Sequence, residues 1–212
     1  MANVSQSNAP AKLLREGTLQ AVTTESLQAS LGQALELVLT ENKQVLQKVS
    51  NLVVAQLGQA IADAQRIFVA GEGRSGLVIR MVAMRLMHLG CQVHVVGETT
   101  TPAIRQGDLL IDCSGSGSTD HVLSDAQKAK EIGAYIVSVT TQVESPLAKI
   151  ADLVIEIEAA AKQDRSNQYS KQFAGSLFEQ STLLLFDALF HVLSQNLHKN
   201  SETLWASHTN LE

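Results

Sequence analysis

The chain has 212 residues, of which 45% are hydrophobic and 17% charged, a length and balance that bury one sizeable core and form one domain with appendages. A formal net charge of −5, with no run of Lys or Arg, argues against the electrostatic footprint of a nucleic-acid or anionic-membrane binder. No apolar run approaches the roughly 18 residues a bilayer crossing needs, and no basic region precedes an apolar stretch at the N-terminus, so the expected location is the cytoplasm.

Residues 1–23 are polar and small, without sustained periodicity, and read as a flexible arm. From 24 to 64 apolar residues recur at helical spacing, with Leu27, Leu31, Leu35 and Val38 followed by Val45, Val49, Leu52, Val53, Leu57 and Ile61. That pattern predicts one long or two consecutive amphipathic helices that cover a core or join subunits. A strand-to-helix rhythm then begins, with strands expected at 66–70, 93–96, 109–113, 135–139 and 153–157. Between them, helices fit at 75–89, ending at Gly90, at 119–132, and at 147–151 after the Ser145-Pro146 start signal. A last helix over about 175–197 precedes a tail with Leu204, Trp205 and a terminal His208-Thr-Asn-Leu-Glu212. β-branched runs alternating with helices call for a parallel sheet covered on both faces, with ligands at the carboxyl ends of its strands.

Cys91 and Cys113 both lie in apolar sequence, which predicts buried, reduced thiols rather than a disulfide. The six histidines show no paired zinc-ligand spacing, so no metal is expected, and His121 and His191 read as structural.

Two small-residue loops stand where a strand hands over to a helix: Gly71-Glu72-Gly73-Arg74-Ser75-Gly76 and Ser114-Gly115-Ser116-Gly117-Ser118-Thr119. Backbone N–H groups, hydroxyls and a helix N-terminus converge on an anion at such a place, and two of them in one α/β domain point to a phosphorylated ligand. Gly71, Gly73 and Gly76 also satisfy Gly-x-Gly-x-x-Gly, with Glu98 about where a ribose-binding acid would fall, so a nicotinamide dehydrogenase is the competing reading. Against it, Arg74 and Ser75 place phosphate-binding groups in the loop itself, and a dinucleotide site leaves the second loop unexplained. Arg74 can instead pair with Glu72 or Glu98, and the second loop can be a turn followed by a Thr N-cap.

Longer segments carry a more specific resemblance. Gly73-Arg-Ser-Gly-Leu-Val78, Met84-Arg-Leu-Met-His-Leu-Gly90, Val96-Gly-Glu-Thr-Thr-Thr-Pro-Ala-Ile104, Gly107-Asp-Leu-Leu-Ile111, Ser114-Gly-Ser-Gly117, Ser145-Pro-Leu147, Gly175-Ser-Leu-Phe-Glu-Gln180 and Asn210-Leu-Glu212 resemble the 6-phospho-3-hexuloisomerase family, which has the SIS fold, over roughly residues 30 to 212. The resemblance implies a three-layer αβα sandwich with a five-stranded parallel sheet, in one domain over 24–212 that includes an N-terminal helical extension. It also implies isomerisation of D-arabino-hex-3-ulose 6-phosphate to D-fructose 6-phosphate in the ribulose monophosphate pathway of formaldehyde fixation. No cofactor is implied; the partners implied are a hexulose-6-phosphate synthase and further copies of the chain, as a tetramer. Moving the carbonyl from C3 to C2 needs a base that takes the proton from the adjoining carbon, a cis-enediolate, and a proton returned next door. A non-catalytic sugar-phosphate sensor on the same fold would need the loops but no base.

By this resemblance Glu179 is the base; it sits between Phe178 and the run Leu183-Leu-Leu-Phe186, a partly desolvated setting at the start of a helix, where an acid also suits the helix dipole. Ser114, Ser116 and Thr119 hold the phosphate, with Gly73, Arg74 and Ser75 completing the cradle. Ser118 stands where many relatives carry an acid, so that position is not expected to be essential. His88 is placed by the family near a neighbouring subunit's site, although a cation before Gly90 suits the helix C-terminus without any function. A C3 ketone with a phosphorylated O6 closes only through O5 into a strained four-membered ring, so the hexulose phosphate is open-chain and ring opening by His88 concerns only the reverse direction. Glu98, with Thr99 to Thr101 and Pro102, shapes a pocket wall or a subunit contact, or is a polar turn.

Overall fold

The structure, a computed structural model, describes residues 23–160 and 169–211. The arm expected at 1–23 therefore lies outside the described residues apart from Thr23. The described residues fall into two units that divide between Thr40 and Glu41.

In the first unit the described chain is helical. Helix α1 (Thr24–Leu46) starts behind Thr23, whose Oγ1 accepts from the Ser26 amide at 3.1 Å, and Leu27, Leu31, Leu35 and Leu39 follow one another at i, i+4 along it. Its last turns, from Glu41, belong to the second unit. The amphipathic segment of 24–64 resolves into two helices: the chain turns after Leu46, and Ser50, with extended backbone, accepts from the Val53 amide at 3.4 Å to start α2 (Asn51–Asp63).

The alternation that follows is the expected one: β1 (Ile67–Gly71), α3 (Gly73–His88), β2 (Val93–Val95), β3 (Leu109–Cys113), α4 (Asp120–Ile132), β4 (Tyr135–Thr140), α5 (Pro146–Ile150), β5 (Leu153–Glu156), α6 (Ser176–Asn196) and the one-turn α7 (Ser201–Trp205). The strands form one parallel sheet in the order β2-β1-β3-β4-β5. Because side chains alternate along a strand, Ile67, Val69, Leu109, Ile111, Val137, Val139 and Ile155 face α2, α3 and α6, whereas Phe68, Leu110 and Ile136 face Val122, Ala126 and Leu147 of α4 and α5. Each such buried aliphatic contributes about 1.5–3 kcal/mol. The expected three-layer α/β architecture results. Cys113 is fully buried as expected, but Cys91, in the turn leading to edge strand β2, is only partly covered; both are free thiols.

From β1 the chain crosses to β2 on one side, while β3 pairs on the other. The chain therefore leaves the adjacent carboxyl ends of β1 and β3 in opposite directions, and such a switch point opens a crevice there. No helix among the described residues is long and apolar enough to cross a membrane.

Candidate active site

That crevice holds a cavity of about 420 Å³. Glu72, Gly73, Arg74 and Ser75 line it from the loop after β1, Cys113, Ser114, Gly115, Ser116, Ser118 and Thr119 from the loop after β3, and Ala160, Gly175, Phe178 and Glu179 from the far wall. The two loops singled out in the sequence thus form one site.

Glycine permits both loops for steric reasons. A Cβ on Gly76 would lie 2.5 Å from the Gly71 carbonyl oxygen, so α3 can press its first turn against the end of β1 only without one. Gly117 has φ +59, a left-handed conformation, and a side chain there would run into Ser145, the residue whose hydroxyl accepts from the Ala148 amide at the start of α5. The second loop is further held by the Thr141 hydroxyl, which donates to the Gly115 carbonyl at 2.8 Å, and by the Leu147 amide, which donates to the Gly117 carbonyl at 3.0 Å. The Gly-x-Gly-x-x-Gly pattern is explained here by close strand-to-helix packing, and Glu98 is engaged in an ion pair with Arg80.

Three helices begin at the cavity without a side chain capping their first amides: α3 behind Glu72, α4 behind Thr119 and α6 behind Gly175. Thr119 stands at the N-cap position as the simpler reading expected, yet its hydroxyl lies 2.9 Å from the Ser114 hydroxyl instead of capping α4. The orphan N–H groups and the positive ends of these helices favour an anion between them. Ser116 accepts from the Ser118 amide at 3.3 Å, which tightens the loop tip.

Glu179, in the first turn of α6, has a side chain only 13% exposed, and the Arg74 Nε donates to its Oε2. This replaces the pairing of Arg74 with Glu72 or Glu98. The helix begins at Gly73 rather than 75, which places Arg74 in its first turn alongside α6. Phe178 lies against Gly115, where an added Cβ would meet its ring at 3.3 Å, so α6 is seated directly on the second loop.

Sequence reading missed Cys113 and Asp112. The Cys113 thiol forms part of the wall; burial, with the Asp112 and Glu179 carboxylates adding, pushes it far up, and a hydrogen bond with Ser75 opposes only weakly, so it remains a thiol. Asp112 is fully buried one residue before it, on the α4 side of the sheet. Desolvation raises its carboxyl to about 7 against a hydrogen bond from the Ser138 hydroxyl at 2.7 Å, and its Oδ1 has no hydrogen-bond partner among the described residues. The only signal for it was a lone acid in Leu109-Leu-Ile-Asp-Cys113.

His88 is not in the cavity. It ends α3, about 22 Å along the helix from Gly73, where its ring stacks on His208 with centroids 5.4 Å apart, and Trp205 lies 5.1 Å from His208. Burial, then His208 and Arg85, lower its basicity.

A parallel sheet with hydroxyl-rich loops and uncapped helix starts at its switch point defines a phosphosugar-binding domain, and the chain belongs to the SIS domain family, whose model matches residues 60–191. It is 50% identical over 178 residues to the 3-hexulose-6-phosphate isomerase of Mycobacterium gastri, covering 84% of this chain and 89% of that one. Against the enzyme of the same name from Bacillus subtilis the identity is 42%, over 77% and 89% of the two chains. A solved Methanococcus jannaschii structure, whose described inferred function is 3-hexulose-6-phosphate isomerase, superposes with a TM-score of 0.74 at 33% identity, covering 85% of this chain and 99% of that one.

Proposed function

We propose that the protein isomerises D-arabino-hex-3-ulose 6-phosphate to D-fructose 6-phosphate through a cis-enediolate, with Glu179 as the base. The observation that carries this reading is a recessed carboxylate facing two hydroxyl-and-amide loops across one cavity. Ser114, Ser116, Thr119, Ser75 and the amides of Gly73 and its neighbours take the phosphate. The open-chain sugar is thereby held with C2 and C3 toward Glu179. Glu179 removes the C2 proton as the C3 carbonyl becomes an enediolate oxygen; the hydroxyl proton then passes from O2 to O3, and Glu179 returns its proton to C3 as C2 becomes the carbonyl. Oxidation and reduction cancel within the substrate, so the reaction needs no redox cofactor. Arg74, already on Glu179, supplies the positive charge nearest to the developing oxyanion.

A synthase that builds the hexulose phosphate supplies the substrate, and the working form is a homo-oligomer, a tetramer by resemblance. The exposed Leu77, Met81 and Met84 on α3 and Leu184 and Val192 on α6 support association. His88 then serves a neighbouring subunit's cavity.

The test is coupled conversion of enzymatically prepared hexulose phosphate, following fructose 6-phosphate. Glu179→Gln should lower kcat by about a thousandfold with KM little changed and abolish exchange of the C2 hydrogen with solvent. More than a tenth of wild-type turnover in that variant would remove the base assignment. A saturable fluorescence change on titration with NADH would favour a dehydrogenase instead.

A further inference from the structure

The chain anchors α6 on the end of α1 through two adjacent polar residues that the sequence did not distinguish. The Glu41 carboxylate accepts hydrogen bonds from the Ser170 hydroxyl at 2.7 Å, the Lys171 amide at 2.9 Å and the Gln172 side-chain amide at 3.0 Å. Next to it, the buried Asn42 side chain donates to Gln180 Oε1 at 2.7 Å and accepts from the Ser181 hydroxyl at 2.9 Å. These contacts fall just before α6 and immediately after Glu179. With 3.6 residues per turn, residues 180 and 181 point away from the direction of residue 179, so α1 grips one side of α6 while Glu179 emerges on another.

The segment between the two grips is conformationally demanding. Ala174 has φ +51, left-handed for a residue with a side chain, and the Ser176 hydroxyl donates to the Phe173 carbonyl at 2.8 Å where the helix begins. Apolar packing alone would let a helix roll. A roll of about 20° moves an atom about 5–6 Å from the axis by about 2 Å, and a misplacement near 1 Å costs up to about a hundredfold in rate. Directional bonds before the helix, at residues 170–172, and after its first turn, at residues 180 and 181, oppose that roll.

We propose that Glu41 is a positioning residue of the isomerase reaction, fixing, beside the Asn42 contacts, the rotation and depth of α6 so that the Glu179 carboxylate meets the reacting carbons. The proposal rests on the assignment of Glu179 as the base. Burial alone would raise the Glu41 carboxyl, but the hydrogen bonds from Lys171, Ser170 and Gln172 outweigh it and hold the group below its ordinary value. The anchor is therefore ionised throughout the neutral range.

Glu41→Gln and the double variant Ser170→Ala/Gln172→Ala attack the side-chain bonds of this grip from opposite sides, the double variant leaving only the Lys171 amide on Glu41. Each should lower kcat about tenfold with KM within about twofold, and the two together should be no worse than Glu41→Gln alone, because they remove one shared interaction. Circular dichroism and the thermal midpoint establish the folded fraction to which kcat is referred, and if Glu41→Gln does not fold the double variant decides. Unchanged kcat per folded molecule, or a loss confined to KM, would overturn the proposal while leaving Glu179→Gln inactive. Substantial turnover by Glu179→Gln would overturn the base assignment and this inference with it.

Discussion

The two ends of α3 differ in what one chain can do with them. At Gly73 the helix starts at the switch point of the sheet, where a second loop, two further helix N-termini and Glu179 close a cavity. At His88 the same helix ends in an imidazole stacked on His208, which Trp205 touches in turn, far from the loops and the carboxylate that line the cavity. Parallel topology explains the difference: the helices that follow strands in a parallel sheet start at the carboxyl edge, so their amides gather there and nowhere else. The role proposed for His88 is therefore one in a neighbouring subunit's cavity.

The comparison is broken most directly at the pocket end. Ser114→Ala/Thr119→Ala removes two hydroxyls that the phosphate would use, and hydrogen bonds to a charged group are worth about 1.5–3 kcal/mol each, so KM should rise about a hundredfold or more while the thermal midpoint changes little. A KM within threefold of wild type would place the phosphate elsewhere.

At the other end the expected effect is smaller and directional. His88→Ala should reduce turnover from fructose 6-phosphate about tenfold, less than the roughly hundredfold or more expected of a group that moves the proton at the reacting carbon, and leave the hexulose direction nearly intact, because only the fructose phosphate has a ring to open. Equal losses in both directions would assign His88 a binding or structural role.

The smallest effects are those of pH on stability, and the two ends pull in opposite senses. Burial lowers the folded-state basicity of His88, so on acidification the unfolded chain takes up that proton first; the contribution is whole above the unfolded value of 6.5 and is lost as pH falls below it. Burial raises Asp112 from 3.8 to about 7, so the unfolded chain ionises first as pH rises, and stability declines between those two values. Thermal midpoints from pH 4 to 8 should therefore lose their acid-side fall in His88→Ala and their alkaline-side fall in Asp112→Asn, each by a few degrees, at about 2–4 °C per kcal/mol for a chain of this size. Identical profiles in wild type and Asp112→Asn would show that the buried carboxyl does not titrate in this window.

Much of the site was legible because its parts are local. A loop of Gly, Ser and Thr after an apolar strand announces itself in six residues, and both such loops line the cavity. Glu179 was legible only through resemblance, since an acid in a helix's first turn is commonplace. Its partner was not legible: Arg74 has acids at Glu72 and Glu98 close in sequence, and it reaches Glu179 across 105 residues because α3 begins two positions earlier than its pattern indicates. The break between α1 and α2 was left open for a related reason, as apolar periodicity runs through residues that turn.

By itself, the order of apolar runs and small-residue loops determined a parallel sheet, its helices and the two anion-binding turns, because those follow from backbone propensity and side-chain alternation over a few residues. Tertiary structure alone decided which charge meets which, that Asp112 is sealed beneath the pocket, that His88 lies at the wrong end of its helix for its own cavity, and that Glu41 and Asn42 hold α6. Such facts depend on the rotation and seating of whole helices against the sheet, which no short stretch of sequence encodes.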